Sequence, residues 1–182
     1  SSNRNQNVIT ANNLASGRME EIRAVSYDAV GTAGGNPSGT FPQAEQVDVD
    51  GVRYTVETRI SWSAAAGKSA EVNPAAFKDV SITVKGPNPF SGKTAVLAEL
   101  FSTFSRDGEE PFSDKGHIQV KVRDTTSAPV TSSIQVSIQG PQNSSLYTDH
   151  NGSALFGMLN PGFYTVKSTI PDDMFAIGGD EI

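Results

Sequence analysis

The chain has 182 residues, 36% hydrophobic and 19% charged, with a formal net charge of −6. That length supports one large domain or two small ones, each with its own core. The acidic balance argues against a general binder of nucleic acid or anionic lipid; the lack of cysteine excludes disulfides and thiolate metal sites; and no run reaches the ~20 apolar residues of a membrane span.

Residues 1–6 are polar, and Asn3 or Asn7 is placed to cap the element that follows. From Asn7 to Tyr27 the pattern is helical. Val8, Ala11, Ala15, Met19 and Ile22 fall on one stripe, with Leu14 and Val25 at its edge. At ~1.5 Å per residue the predicted rod is about 30 Å long, and its stripe is expected to pack on a sheet. Asn13, Glu20, Glu21 and Arg23 lie round the other side, and Gly17 falls opposite the stripe. Glycines and prolines from Gly31 to Pro42 stop the helix near Tyr27 or Asp28. They predict a turn-rich loop, Thr32 to Gln46, lying over the surface.

The period then drops to two. Val52 to Trp62 alternates strictly, with Asp50-Gly51 as a hairpin turn and Gln46 to Val49 as its short partner strand. Ala64 to Pro74 is read as a loop. Phe77 to Lys85 turns Val80, Ile82 and Val84 inward. Thr94 to Phe104 is a third strand, with a helix over Ala95 to Phe104 as the alternative. The charged run Arg106 to Pro111 is read as a boundary. Beyond it, alternation at Ile118–Val122 and Ile134–Ile138, and short strands near Leu146–Thr148, Ala154–Phe156 and Tyr164–Ile170, predict a β-sandwich. The expected class is therefore α+β. Residues 1–112 would place the amphipathic helix on an antiparallel sheet, and residues 113–182 would form the all-β sandwich.

No catalytic constellation is legible, and no catalytic, cofactor or metal residue is assigned; an enzyme is not expected. His117 and His150 have neither the spacing nor the cysteines of a zinc site. Ser91-Gly92-Lys93-Thr94 lacks the first glycine of a phosphate loop, since Pro87 stands there. Glu45, Asp48 and Asp50, or Asp107, Glu109 and Glu110, have the oxygens for calcium, but solvated loop charge is the expectation. Arg53 and Arg59 share one wet strand face and Lys121 and Arg123 another, as ordinary solvated charge.

Asn12 to Tyr27, Asn-Asn-Leu-Ala-Ser-Gly-Arg-Met-Glu-Glu-Ile-Arg-Ala-Val-Ser-Tyr, resembles the region behind the hydrophobic N-terminal segment of type IV minor pilins and pseudopilins. Arg53–Trp62 and Phe77–Val84 resemble the sheet strands of that group. The resemblance implies a processing site and an apolar anchor upstream of Ser1, and other pilin subunits as partners. It makes Val8, Ala11, Ala15, Met19, Ile22 and Val25 the helix-to-sheet packing, and Asn13, Gly17, Glu20 and Glu21 the candidate filament contacts. It implies a protein of the cell surface, anchored in the membrane before assembly only through that upstream segment. The filament could be a pilus, a type II secretion pseudopilus or a DNA-uptake pilus, although nucleic acid is not expected as a partner.

Residues 116–175 resemble transthyretin-like modules of the carboxypeptidase-regulatory and collagen-adhesin B type. The specific pieces are Thr148-Asp149-His150-Asn151-Gly152 and Leu159-Asn160-Pro161-Gly162-Phe163-Tyr164. That likeness implies adhesion, with a surface or host ligand met by loops Ser127–Ser133 and Asn143–Asn151, or the accessory domain of a hydrolase. Lys121 stands where some such adhesins carry a cross-linking lysine, but no facing acid is found.

Overall fold

A computed structural model describes residues 2–63, 77–88, 90–105 and 115–170. Helix α1 spans Ser2–Arg23, so it begins before and ends short of the stretch expected from periodicity. Asn3 and Asn7 therefore lie inside the helix rather than at its cap. The chain leaves α1 through a short 3-10 turn, Tyr27–Ala29.

Four antiparallel strands follow in simple order: β1 (Ala44–Val49), β2 (Val52–Ser63), β3 (Phe77–Pro87) and β4 (Thr94–Ser105). Asp50 and Gly51 both take positive φ, as a two-residue turn matched to the strand twist requires. Ala95 to Phe104, for which helix is the alternative, lies wholly within strand β4. Helix α1 lies mainly across β3 and β4. Its Ala11, Ala15, Met19 and Ile22 are buried against Tyr54, Val56, Ile60, Val80, Ile82 and Val84, with Leu14 and Val25 partly buried at the margin.

The remaining strands are β5 (Gly116–Lys121), β6 (Gln135–Gln139), β7 (Ser144–Tyr147), β8 (Ser153–Leu159) and β9 (Thr165–Thr169). They make a two-stranded sheet, β5–β8, and a three-stranded sheet, β7–β6–β9, all antiparallel. Both sheets feed one small core of Val136, Ile138, Phe156 and Leu159.

The α+β expectation is corrected. Among the described residues, 51% are strand and 15% helical, so the fold is mostly β, with one α-helix laid on antiparallel sheets. The loop expected over the surface, Thr32 to Gln46, is corrected at its start only: Thr32, Gly35, Asn36 and Pro37 are buried, while most of the rest is exposed. The charged run 106–111 and the loop 64–74 lie outside the described residues.

Candidate functional site

Three surfaces or seams carry the candidate residues: the back of α1, the joint between the two groups of strands, and the cleft beside that joint.

On α1, Asn13, Gly17, Glu20 and Glu21 are all exposed. The two glutamates are held along the helix, Glu20 by Arg23 at 2.6 Å and Glu21 by Arg18 at 3.0 Å. Such exposed pairs contribute little to stability, so this face is ordered without being sealed. A Cβ on Gly17 would meet nothing within 4 Å. On the other side Val8 is half-buried, while Ala11, Ala15 and Ile22 are fully enclosed. Arg18 ties the helix edge to the sheet through Glu45 and, at 3.4 Å, through the Thr58 hydroxyl.

The joint is built around Asn36, which nothing in the sequence marked. Its carboxamide Nδ2 donates to the Gly157 carbonyl at 2.9 Å. Its Oδ1 accepts from the Gly157 amide at 2.7 Å and from the Trp62 indole at 2.7 Å. The side chain thus satisfies both backbone groups of a β8 residue, as a neighbouring strand would. The ladder explains why Gly157 offers them. Ile118 pairs with Phe156 and Gly116 with Leu159, so Gly157 and Met158 together oppose His117 alone. That is a β-bulge, and Met158 sits at φ 57. Burial follows the shift: Phe156, Gly157 and Leu159 are buried where strict alternation would expose one of the first two. A Cβ on Gly157 would stand 2.6 Å from the Trp62 ring, so only glycine fits.

The buried loop that delivers Asn36 is folded on itself. Thr32 donates its amide to Pro37 and accepts from Gly35 and Gly39, while Ala33 donates to Phe41. Gly31 and Gly39 touch backbone to backbone. The Gly34 carbonyl accepts from the Ser145 amide at 3.4 Å, a second link to the later strands.

Behind Trp62 lies Lys78, 1% exposed on the inward face of β3. Its ammonium donates to the Tyr27 and Val30 carbonyls, both at 2.7 Å. It also rests over the Tyr27 ring at 4.5 Å and the Trp62 ring at 4.9 Å. A buried charge is tolerable only with such partners. Alternation alone places position 78 inward, but its residue type hid it.

Beside the joint opens a cleft of about 620 Å³. One wall is the outer face of β2–β4, with Arg59, Ser61, Asp79, Ser81 and Phe101. The other runs from Ser145 to Asn151 with Gln119 and Leu155. Arg59 lies 5.1 Å from the Tyr147 ring centre and donates to the Ser133 hydroxyl at 3.5 Å. Of the two loops expected to meet a ligand, Asn143–Asn151 lines the cleft along most of its length. Ser127–Ser133 supplies none of its lining, and meets it only indirectly, through the hydrogen bond of Ser133 with Arg59.

Two of the calcium candidates are engaged by arginines. Asp48 is bound by Arg53 at 2.8 and 3.0 Å, which holds its carboxyl below the usual value, and Glu45 is bound by Arg18. Asp107, Glu109 and Glu110 lie outside the described residues. His117 accepts from the Met158 amide at 3.3 Å, and His150 stands exposed in a turn. Lys121 is exposed and pairs with Ser153 across the ladder. Among the described residues no group of three His, Asp or Glu side chains could hold a metal.

No protein-family model, curated protein or solved structure matches this chain.

Proposed function

We propose that this chain is the head of a minor pilin: a structural subunit of a type IV pilus or related filament, which displays its later strands for adhesion or subunit contacts. What carries the reading is the division of α1. One face is enclosed by the sheet, and the other, with Asn13, Gly17, Glu20 and Glu21, is open and ordered by short ion pairs. The likeness of Asn12 to Tyr27 to minor pilins supports it. On this reading the partners are other pilin subunits, the place is the cell surface, and membrane anchoring before assembly comes from a segment upstream of Ser1.

Gly17 provides the test, because the fold leaves room at it. Gly17→Trp in the full-length protein, returned to the organism that encodes it, should melt like the parent as a purified head. It should nevertheless fail to enter sheared filaments. Wild-type incorporation of both Gly17→Trp and Asn13→Trp would overturn the proposal.

A further inference from the structure

The cleft beside the joint has a chemistry of its own, independent of how α1 packs. Its volume of about 620 Å³ falls within the ~300–1,000 Å³ of small-ligand sites. Phe101 stands on one wall with 70% of its surface exposed, and Tyr147 on the other with 45%. An isolated exposed aromatic is ordinary, but two rings on opposite walls of one concavity give flat apolar platforms where water would otherwise sit.

The charges in the cleft are already matched within the protein. Arg59 lies on Tyr147. Asp79 accepts from the Thr103 hydroxyl at 2.7 Å. Asp149 accepts from the amides of Asn151 and Ser153 at 2.8 and 2.9 Å. With one arginine against two aspartates, no anion is favoured; and no carboxylate pair stands ready for a cation. What remains are hydroxyls and carboxamides, Ser61, Ser81, Gln119 and Asn151, which donate and accept equally well. Phe101 pairs directly across the ladder with Ser81, so ring and hydroxyl are presented side by side.

We propose that this cleft binds a short, uncharged oligosaccharide. A pyranose has an apolar C–H face to lie on Phe101, with Tyr147 opposite, and a rim of hydroxyls to meet the serines and carboxamides. A phosphorylated or sialylated ligand would need uncompensated cations, whereas the single arginine of the lining is set against two aspartates.

Trp62 lines the cleft and is the single tryptophan of the chain, so its emission reports occupancy. The purified protein would be screened on an array of neutral, sialylated and sulfated glycans. Hits would then be titrated by tryptophan fluorescence and calorimetry. Retention of neutral glycans is expected, with affinity lowered about tenfold or more by Phe101→Ala and unchanged by Phe163→Ala, a still more exposed ring away from the cleft. An array that retains no neutral glycan, or retains only acidic ones, overturns the proposal. So does binding indifferent to both Phe101→Ala and Tyr147→Ala. Filament entry by Phe101→Ala should be normal, which separates failure here from failure of the subunit reading.

Discussion

Under α1, side chains meet without a hydrogen bond between them: Ala11, Ala15 and Ile22 lie on Val80, Ile82 and Val84, each with 0% exposure. At the joint, three hydrogen bonds converge on one carboxamide, a ring edge is fitted against a glycine, and a lysine is braced between two rings. The first contact depends on area and is non-directional, so it tolerates apolar replacements of similar volume. The second depends on placement, and almost any change at Asn36 or Gly157 leaves a buried polar group without its partner. A molecule with both can let its helix be remodelled in evolution while the attitude of its later strands stays fixed.

The largest effect should come from putting a charge into the apolar seam. Ile22→Asp buries a carboxylate with no cation beside it, at a cost of several kcal/mol. The helix should detach, with loss of far-ultraviolet helical signal and a melting temperature lowered by well over ten degrees. Ile22→Leu should cost no more than about 1.5 kcal/mol. A melt for Ile22→Asp that superimposes on wild type would show that α1 is not held by this face.

Gly157→Ala breaks the other side of the comparison with a single methyl. The new Cβ must displace the Trp62 ring, at about 1–3 kcal/mol. Asn36→Ala strands the Gly157 amide and the indole N–H, at about 1–3 kcal/mol as well. Because both changes dismantle one network, the double variant should cost clearly less than the sum of the singles. Both should red-shift tryptophan emission and leave α1 in place. Strict additivity would mean that Asn36 and Gly157 do not act together, and that the joint is held elsewhere.

The two contacts also differ in how far they could be foreseen. The seam was legible because helix period and strand alternation are local: Ala11, Ala15, Met19 and Ile22 repeat every three or four residues, and Tyr54, Val56, Thr58 and Ile60 every two. The joint was hidden because its parts are 121 residues apart, as Asn36 is from Gly157, and no period links them. A loop dense in glycine reads as surface, yet here glycine permits the backbone contact of Gly31 with Gly39 that buries it. The bulge at Gly157 and Met158 was equally silent, since alternation gives no sign of one extra residue until the partner strand is known. The α+β expectation failed for a simpler reason. The helix was prominent in the pattern, yet strands outweigh it among the described residues, 51% against 15%.

The smallest effect sharpens the contrast through pH. Neither Asn36 nor the apolar seam titrates, so neither contact should respond directly to acid. Asp124, by contrast, holds the turn after β5. Its carboxylate accepts from the Thr126 hydroxyl at 2.7 Å and from the amides of Thr126 and Ala128 at 2.8 and 3.0 Å. These bonds favour the ionised form and hold its pKa below the ordinary 3.8, the Thr126 hydroxyl contributing most. A carboxyl depressed on folding adds stability above its unfolded pKa and loses it as pH falls through the folded one. Asp124→Asn keeps an acceptor but not the charge. The variant should therefore melt slightly below wild type at neutral pH, and the gap should close as pH falls below the ordinary carboxylate value. A gap that stays constant to the most acid pH at which both remain folded would show that shape, not charge, holds that turn. The pH-dependent part of the later strands' stability would then have to lie in another carboxylate.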